Sequence, residues 1–441
     1  MRKTTLVILA LAVAATACRS KAPVDRHAAL GRVNHFVVIY LENRSFDNLY
    51  GQFPGAIGLA DATYAPPQVD AQGHVYTTLP QAANSGLPDT LPNAPFAIER
   101  FIARDQPTLD LVHRFYQEQE QIDRGTMDRF AQVSDAKGLA MGYYRTDSLP
   151  LARLAAQYTL CDRFFHSAFG GSFLNHVWLV AAATPVFPHA PEAMIAAVDS
   201  AGRLRRDGAV TPDGYVVNTA FPAGGPYPRS VPADQLVPAQ TMATIGDRLT
   251  DAGLSWAWYA GGWKAAEAGH PPDDFQYHHQ PFAYFAAYAP GTKARAEHLL
   301  DENDFIAAAR AGTLPAVSFV KPSGADDEHP GYTNLLRGEQ HAMALIDAVR
   351  NGPDWHDTAI IVTYDENGGF WDQVSPPKID RWGPGTRVPA IVISPLARKG
   401  YVDHTTYETA SILATIEHRW KLAPLTARDG KAMDLANAFG R

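Results

Sequence analysis

Apolar and polar positions follow one another along this chain in blocks. The block His35-Phe36-Val37-Val38-Ile39-Tyr40-Leu41 is unbroken and rich in β-branched and aromatic side chains. Such a run predicts a strand buried on both faces, as parallel sheets require. Similar runs predict strands at 255–259, 316–320, 359–364 and 388–393. Helical spacing marks 107–130, 173–182, 335–350 and 406–420, and 151–165 reads as a helix running into a strand-like turn. Strands alternating with helices predict an α/β fold, a mostly parallel sheet sandwiched by helices. Two stretches break the rhythm. Residues 51–98 are rich in Gly, Pro, Ala and Asn and read as a loop or cap, and 184–300 reads as a second region of insertions. No internal repeat or low-complexity linker divides the chain, so 32–441 is expected to form one catalytic domain.

The first residues follow another pattern. Arg2 and Lys3 precede an apolar run over 4–17 that ends Ala15-Thr16-Ala17-Cys18. The run is short for a membrane span and small residues flank its end, so 1–17 reads as a signal peptide and 18–31 as a polar leader. Two processing routes fit. Cys18 would become the lipidated first residue of a lipoprotein, or an ordinary peptidase would cut after Ala17. Either route implies an exported chain, periplasmic, lipid-anchored to the cell envelope, or secreted. Membrane contact would run only through an anchor at Cys18, because no later segment approaches the roughly 20 apolar residues of a spanning helix.

Composition narrows the function. Hydrophobic residues make up 46% of the chain, enough for a large core, which excludes wholesale disorder. With 38 Lys and Arg against 46 Asp and Glu the net charge is −8, and no basic run stands out, so nucleic acid is not an expected partner. Two cysteines exclude a disulfide framework, and Cys161 is expected to be a buried structural thiol.

The polar clusters that carry chemistry sit where strands are predicted to end. Glu42-Asn43 follows the first strand, Asp326-Asp327-Glu328-His329 follows 316–320 after a short turn, and Asp365-Glu366 follows 359–364. Strand ends at one edge of a parallel sheet converge, and ligands bind there. One such cluster alone would be a solvated loop or a helix cap. Three at strand ends would bring Glu42, Asp365 and Glu366 together, and carboxylates that close repel unless protons or a cation intervene. Oxygen donors of this kind suit a divalent ion. In Gly170-Gly171-Ser172-Phe173-Leu174-Asn175-His176, Ser172 opens a predicted helix, where backbone N–H groups favour an anion. A serine there is equally an ordinary N-cap. Leu174 stands where a G-x-S-x-G elbow has its second glycine, so a hydrolase triad is poorly supported. His278-His279 alone would read as a surface pair; in acid the two would be cationic donors to phosphate oxygens. H-E-x-x-H, P-loop, dinucleotide and C-x-P-x-R patterns are absent.

Taken together, Leu41-Glu42-Asn43-Arg44-Ser45-Phe46-Asp47, Asp327-Glu328-His329-Pro330 and Tyr364-Asp365-Glu366-Asn367-Gly368-Gly369-Phe370-Trp371-Asp372 resemble the bacterial phosphoesterase family. That family includes phospholipase C enzymes and acid phosphatases and has a fold similar to alkaline phosphatase. The resemblance spans roughly residues 33–425. Tyr277-His278-His279-Gln280-Pro281-Phe282 and Gly171-Ser172-Phe173-Leu174-Asn175-His176 look more like the acid phosphatase branch. The resemblance therefore implies an acid phosphatase acting on small phosphorylated substrates through a phosphoserine, with a phospholipase C-type phosphodiesterase as the alternative. It implies one divalent ion (Ca, Mg, Mn or Zn) held by Glu42, Asn43, Ser172, Asp365 and Glu366, with Ser172 also the nucleophile. It implies that Asn43, His113, Asn175, His278, His279 and His329 surround the phosphoryl oxygens, and a protonated His329 is expected near the leaving oxygen. For His113 the support is Met127-Asp128 downstream, similar to the family's Gly-Lys-Met-Asp segment. If several histidines must be charged, activity would peak below their ordinary pKa of about 6.5. Two positions depart from the family. Gln373 follows Asp372 where many members carry His, and Glu408-Thr409-Ala410-Ser411 replaces an Asp-His-Thr-Ser pattern of the phospholipase branch. Both departures weigh on a lipid-type substrate more than on the core chemistry.

Overall fold

The computed structural model describes residues 26–62 and 65–440. The expected signal peptide and Cys18 lie outside the described residues; of the segment expected as a polar leader, Arg26–Leu30 forms a short helix. The central sheet has eight strands: β1 (His35–Leu41), β2 (Thr159–Cys161), β3 (Trp256–Ala260), β4 (Leu299–Asp301), β5 (Val317–Lys321), β6 (Thr358–Tyr364), β7 (Ala390–Ile393) and β8 (Tyr401–Asp403). Their spatial order is β8-β2-β7-β6-β1-β5-β3-β4. All neighbours are parallel except at β7, which runs antiparallel to both β6 and β2. The mostly parallel α/β architecture expected from the sequence is present.

The unbroken apolar runs explain the centre of the sheet. Phe36 to Leu41 of β1 and every residue of β5 and β6 are buried. Alternate side chains of one strand point to opposite faces, so burial at every position means both faces are covered. Trp258 of β3 stacks on Phe319 of β5 with ring centroids 5.5 Å apart. The free thiol of Cys161, in β2, is buried as expected.

The helices that bear on the site are α1 (Phe46–Tyr50), α2 (Phe115–Ile122), α3 (Ser172–Ala181), α4 (Glu302–Ala311), α5 (Leu335–Arg350) and α6 (Ala410–Trp420). In α5 the buried residues Leu335, Gly338, Glu339, Ala342, Leu345, Ile346 and Val349 form one helical stripe. The helix expected over 107–130 is only α2. Residues 107–114 carry no regular element, and the chain turns left-handed at Asp123, Arg124 and Met127, which ends the helix. His113 therefore lies on irregular chain. Within 184–300 the chain rejoins the sheet at β3 and β4, so its later part is framework. No helix among the described residues is long and apolar enough to cross a membrane.

Candidate active site

Parallel pairing puts the ends of β1, β5 and β6 at one edge of the sheet. The register sets Leu41 beside Tyr364, so Glu42-Asn43 and Asp365-Glu366 leave their strands side by side. Backbone bonds tie them. The Asp365 N–H donates to Leu41 O at 3.0 Å and the Arg44 N–H to Glu366 O at 3.0 Å. The Asn43 N–H donates to Asp365 Oδ1 at 3.0 Å. Asn43 sits at φ +65°, a left-handed conformation that Asn tolerates better than most residues. Gly368 closes over it: with φ +61°, a Cβ there would fall 2.3 Å from Asn43 O.

The orientation of the Asn43 amide follows from its neighbours. A backbone carbonyl can only accept, so His329 Nδ1, 2.6 Å from Pro330 O, carries the proton. His113 Nδ1 donates to Leu111 O in the same way. Each ring thus offers its bare Nε2. Asn43 Nδ2 lies 3.0 Å from His329 Nε2 and 3.3 Å from His113 Nε2, so its two hydrogens go to the two imidazoles. Asn43 Oδ1 is left facing Ser172, whose hydroxyl donates to it at 3.3 Å.

Ser172 is the first residue of α3. A hydroxyl at a helix N-terminus lies where developing negative charge is favoured. The preceding turn is tight. Gly170 has φ +88°, and a Cβ there would meet Phe115 N at 2.4 Å. Glu118 Oε2 accepts from the Gly170 N–H at 2.6 Å, and its Oε1 lies 2.8 Å from His166 Nε2.

Asn175 departs from its expected role. Its Oδ1 accepts from the Ala168 N–H at 3.0 Å, and its Nδ2 donates to Ala168 O at 2.9 Å and Gly170 O at 3.2 Å. Fully buried, it braces the turn from behind and is not among the residues lining the cavity. The adjacent histidines also separate, because a tight turn over Tyr277–His279 turns them apart. His278 lines the cavity, whereas buried His279 faces Glu42, with Nε2 2.6 Å from Oε1.

The cavity holds about 330 Å³, and Glu42, His113, Ser172, His278, His329 and Tyr332 line it. Of the strand-end carboxylates only Glu42 lines the cavity; it and Asp327, Asp365 and Glu366 are all at most 1% exposed. Burial, then Glu42, pushes Asp365 up to about 7. Burial, then Asp365, raises Glu366, and burial, then Glu42, raises Asp327. Glu42 moves the other way: burial opposes its charge, but Lys321 and His279 hold it well below the usual carboxylate range. Burial lowers His278 and His329, and burial followed by Lys321 lowers His279 to about 4. Burial thus works against the charge expected on His329, whose Nε2 faces the Asn43 amide.

These buried carboxylates require positive charge. Glu42 Oε2, Asp365 Oδ2 and Glu366 Oε1 are buried without a hydrogen-bond partner. Oxygen donors in this state suit a hard or borderline divalent cation, so the side chains fit the ion expected at Glu42, Asn43, Ser172, Asp365 and Glu366. Two residues at the site went unread in the sequence. His176 lies one helical turn beyond Ser172, and its Nδ1 is 2.7 Å from Ser172 O. The i, i+4 spacing would have signalled it. Lys321 reads as an unremarked strand end, yet it is fully buried with Nζ 3.0 Å from Glu42 Oε1.

The comparisons say what a chain with this site does: residues 33–423 match the phosphoesterase family, to which the chain belongs, so the protein is a phosphoric ester hydrolase. It is similar to Phospholipase C B of Mycobacterium tuberculosis, 28% identical over 453 residues that cover 92% of this chain and 77% of that protein. It is 25% identical over 438 residues to a non-hemolytic phospholipase C of Pseudomonas aeruginosa; the match covers 90% of this chain but only 55% of that protein. Among solved structures, a protein in the alkaline phosphatase superfamily from Vibrio parahaemolyticus aligns with TM-score 0.36 and 12% identity, over 69% of this chain and 67% of that one.

Proposed function

We propose that the protein hydrolyses phosphoric esters by attack of Ser172 Oγ on phosphorus, through a phosphoserine that water then cleaves. The observation that carries this reading is the Ser172 hydroxyl at the cavity wall, opening α3 and held 3.3 Å from an Asn43 amide whose direction two imidazoles fix. Glu42, Asn43, Asp365, Glu366 and Ser172 would hold one divalent ion, which when bound lowers the serine pKa and neutralises phosphoryl charge. Asn43 keeps its oxygen toward Oγ. His278 and His113 place ring edges against the phosphoryl group, and the work of the site is positioning and electrostatic stabilisation.

Two ester classes compete, and the charge of the site favours one. His278 and His329 at the cavity are lowered, and Asp110 and Asp135 stand with Arg114 there. Such a setting suits the single charge of a phosphodiester better than the double charge of a monoester, in line with relatives named phospholipase C. The acid phosphatase reading rests on the resemblance of the segments around Ser172 and His278-His279. Rates on p-nitrophenylphosphorylcholine and p-nitrophenyl phosphate separate the two; a large preference for the monoester would reverse this ranking. Ser172→Ala should lower turnover at least about a thousandfold with the fold intact by circular dichroism, and turnover near wild type would remove Ser172 as nucleophile. Chelation should abolish activity, and addition of a divalent ion should restore it. Export, with or without lipid at Cys18, belongs to the same proposal and rests on residues 1–18; the N-terminal sequence of the mature chain tests it.

A further inference from the structure

Lys321 ends β5 with its side chain fully buried. Its Nζ lies 3.0 Å from Glu42 Oε1 and 3.7 Å from Asp327 Oδ2. His279 Nε2 faces the same carboxylates at 2.6 and 3.9 Å. The His176 ring stacks on His279, centroids 5.4 Å apart and planes nearly parallel. One potential ligand atom each from Glu42, His176 and His279 lie within 4.8 Å of one another. Asp327 Oδ2 and His176 Nε2 are buried without a hydrogen-bond partner. Two carboxylates and two imidazoles are a donor set for Zn²⁺ or Mn²⁺, and here they surround a lysine.

We propose that the Lys321 side-chain cation occupies the place a second divalent ion would take between Glu42 and Asp327, and so limits the centre to one ion. The inference rests on the reading above, in which one ion is held by Glu42, Asn43, Ser172, Asp365 and Glu366. A cation attached to the backbone neutralises the inner side of Glu42 permanently. Lys321 and His279 engage Oε1, and Oε2, 3.8 Å from His329 Nε2, stays on the cavity side. Without the lysine, carboxylates and imidazoles crowded in a dry pocket would draw in a cation of their own.

The test is metal stoichiometry, read independently of turnover. Wild type, Lys321→Met and Lys321→Arg are stripped, saturated with Mn²⁺ alone, dialysed and analysed for Mn per folded chain. The expected values are one for wild type and Lys321→Arg and two for Lys321→Met, with spin coupling between the ions in its electron paramagnetic resonance spectrum. In Lys321→Met combined with His279→Ala the count should return to one. A folded Lys321→Met that binds one ion overturns the proposal. A second tight ion in wild type or Lys321→Arg does so as well, and those arms decide if Lys321→Met does not fold. Wild type that binds no Mn²⁺ overturns the metal reading itself, a different result from one ion in both wild type and Lys321→Met.

Discussion

Asn43 shows how far single side chains here are fixed by their neighbours. Two imidazoles take both of its amide hydrogens, and the remaining oxygen meets the Ser172 hydroxyl. Motif spacing announces such residues but not their direction, which is why Asn175 was expected at the phosphoryl group and instead braces the turn. Removing that brace leaves the buried Ala168 N–H without its acceptor, which costs about 1–3 kcal/mol for such a group. Asn175→Ala should therefore lower the melting temperature and reduce kcat more than it raises KM, since the turn carries Ser172. An unchanged melt with a raised KM would return Asn175 to the substrate side. Lys321 was illegible for the converse reason: a lysine closing an apolar run looks like an ordinary solvated end, and only the packing shows it enclosed.

At the scale of elements, the long apolar runs were legible because burial on both faces leaves no polar position to confuse the pattern. β1, β5 and β6 fall within a residue or two of the expected spans, and α5 falls on 335–350. β4 and β8, three residues each, are too short to carry a period. α4 went unread although Asp301 and Asp304 form a capping box at its start and Gly312 ends it. The expected 107–130 helix failed because helical spacing continued through residues that the backbone takes left-handed. The joint between α2 and α3 is the most constrained of these elements. Gly170→Ala would place a methyl 2.4 Å from Phe115 N at φ +88°, so both position and conformation forbid it. That variant should express poorly or melt well below wild type, whereas Gly202→Ala, also left-handed but with nothing within 4 Å, should cost only about 1 kcal/mol. Equal melts for the two would refute the crowded turn.

Over the whole molecule, buried acids set the response to pH. Asp47 is pushed up to about 7 by burial and Asp372, Glu339 to about 7 by burial, and Glu417 to about 9 by burial and Asp429. Each folded pKa exceeds the unfolded value near 4, so the stabilisation is complete below that value and fades as pH rises through the folded pKa. His278, His279 and His329 act in the opposite sense: lowered in the folded state, they remove stability as pH falls below about 6.5. Above that pH these three histidines no longer contribute, whereas the carboxylates still do. The melting temperature of the chelator-treated protein should therefore fall between about pH 6.5 and pH 8.5. A melting temperature that climbs steadily over this interval would show these acids to be ionised in the fold.

The pairing of β1 with β6 reaches beyond the site it builds. Leu41 and Tyr364 are neighbours in space but far apart along the chain, and the centre of the eight-stranded sheet forms only when both are present. Loop closure over such a span makes assembly slow. A ribosome that stalls anywhere before Asp365 leaves a product without one half of this edge, so such a product should lack activity. Proteolysis or a premature stop would act on this enzyme as an all-or-nothing loss.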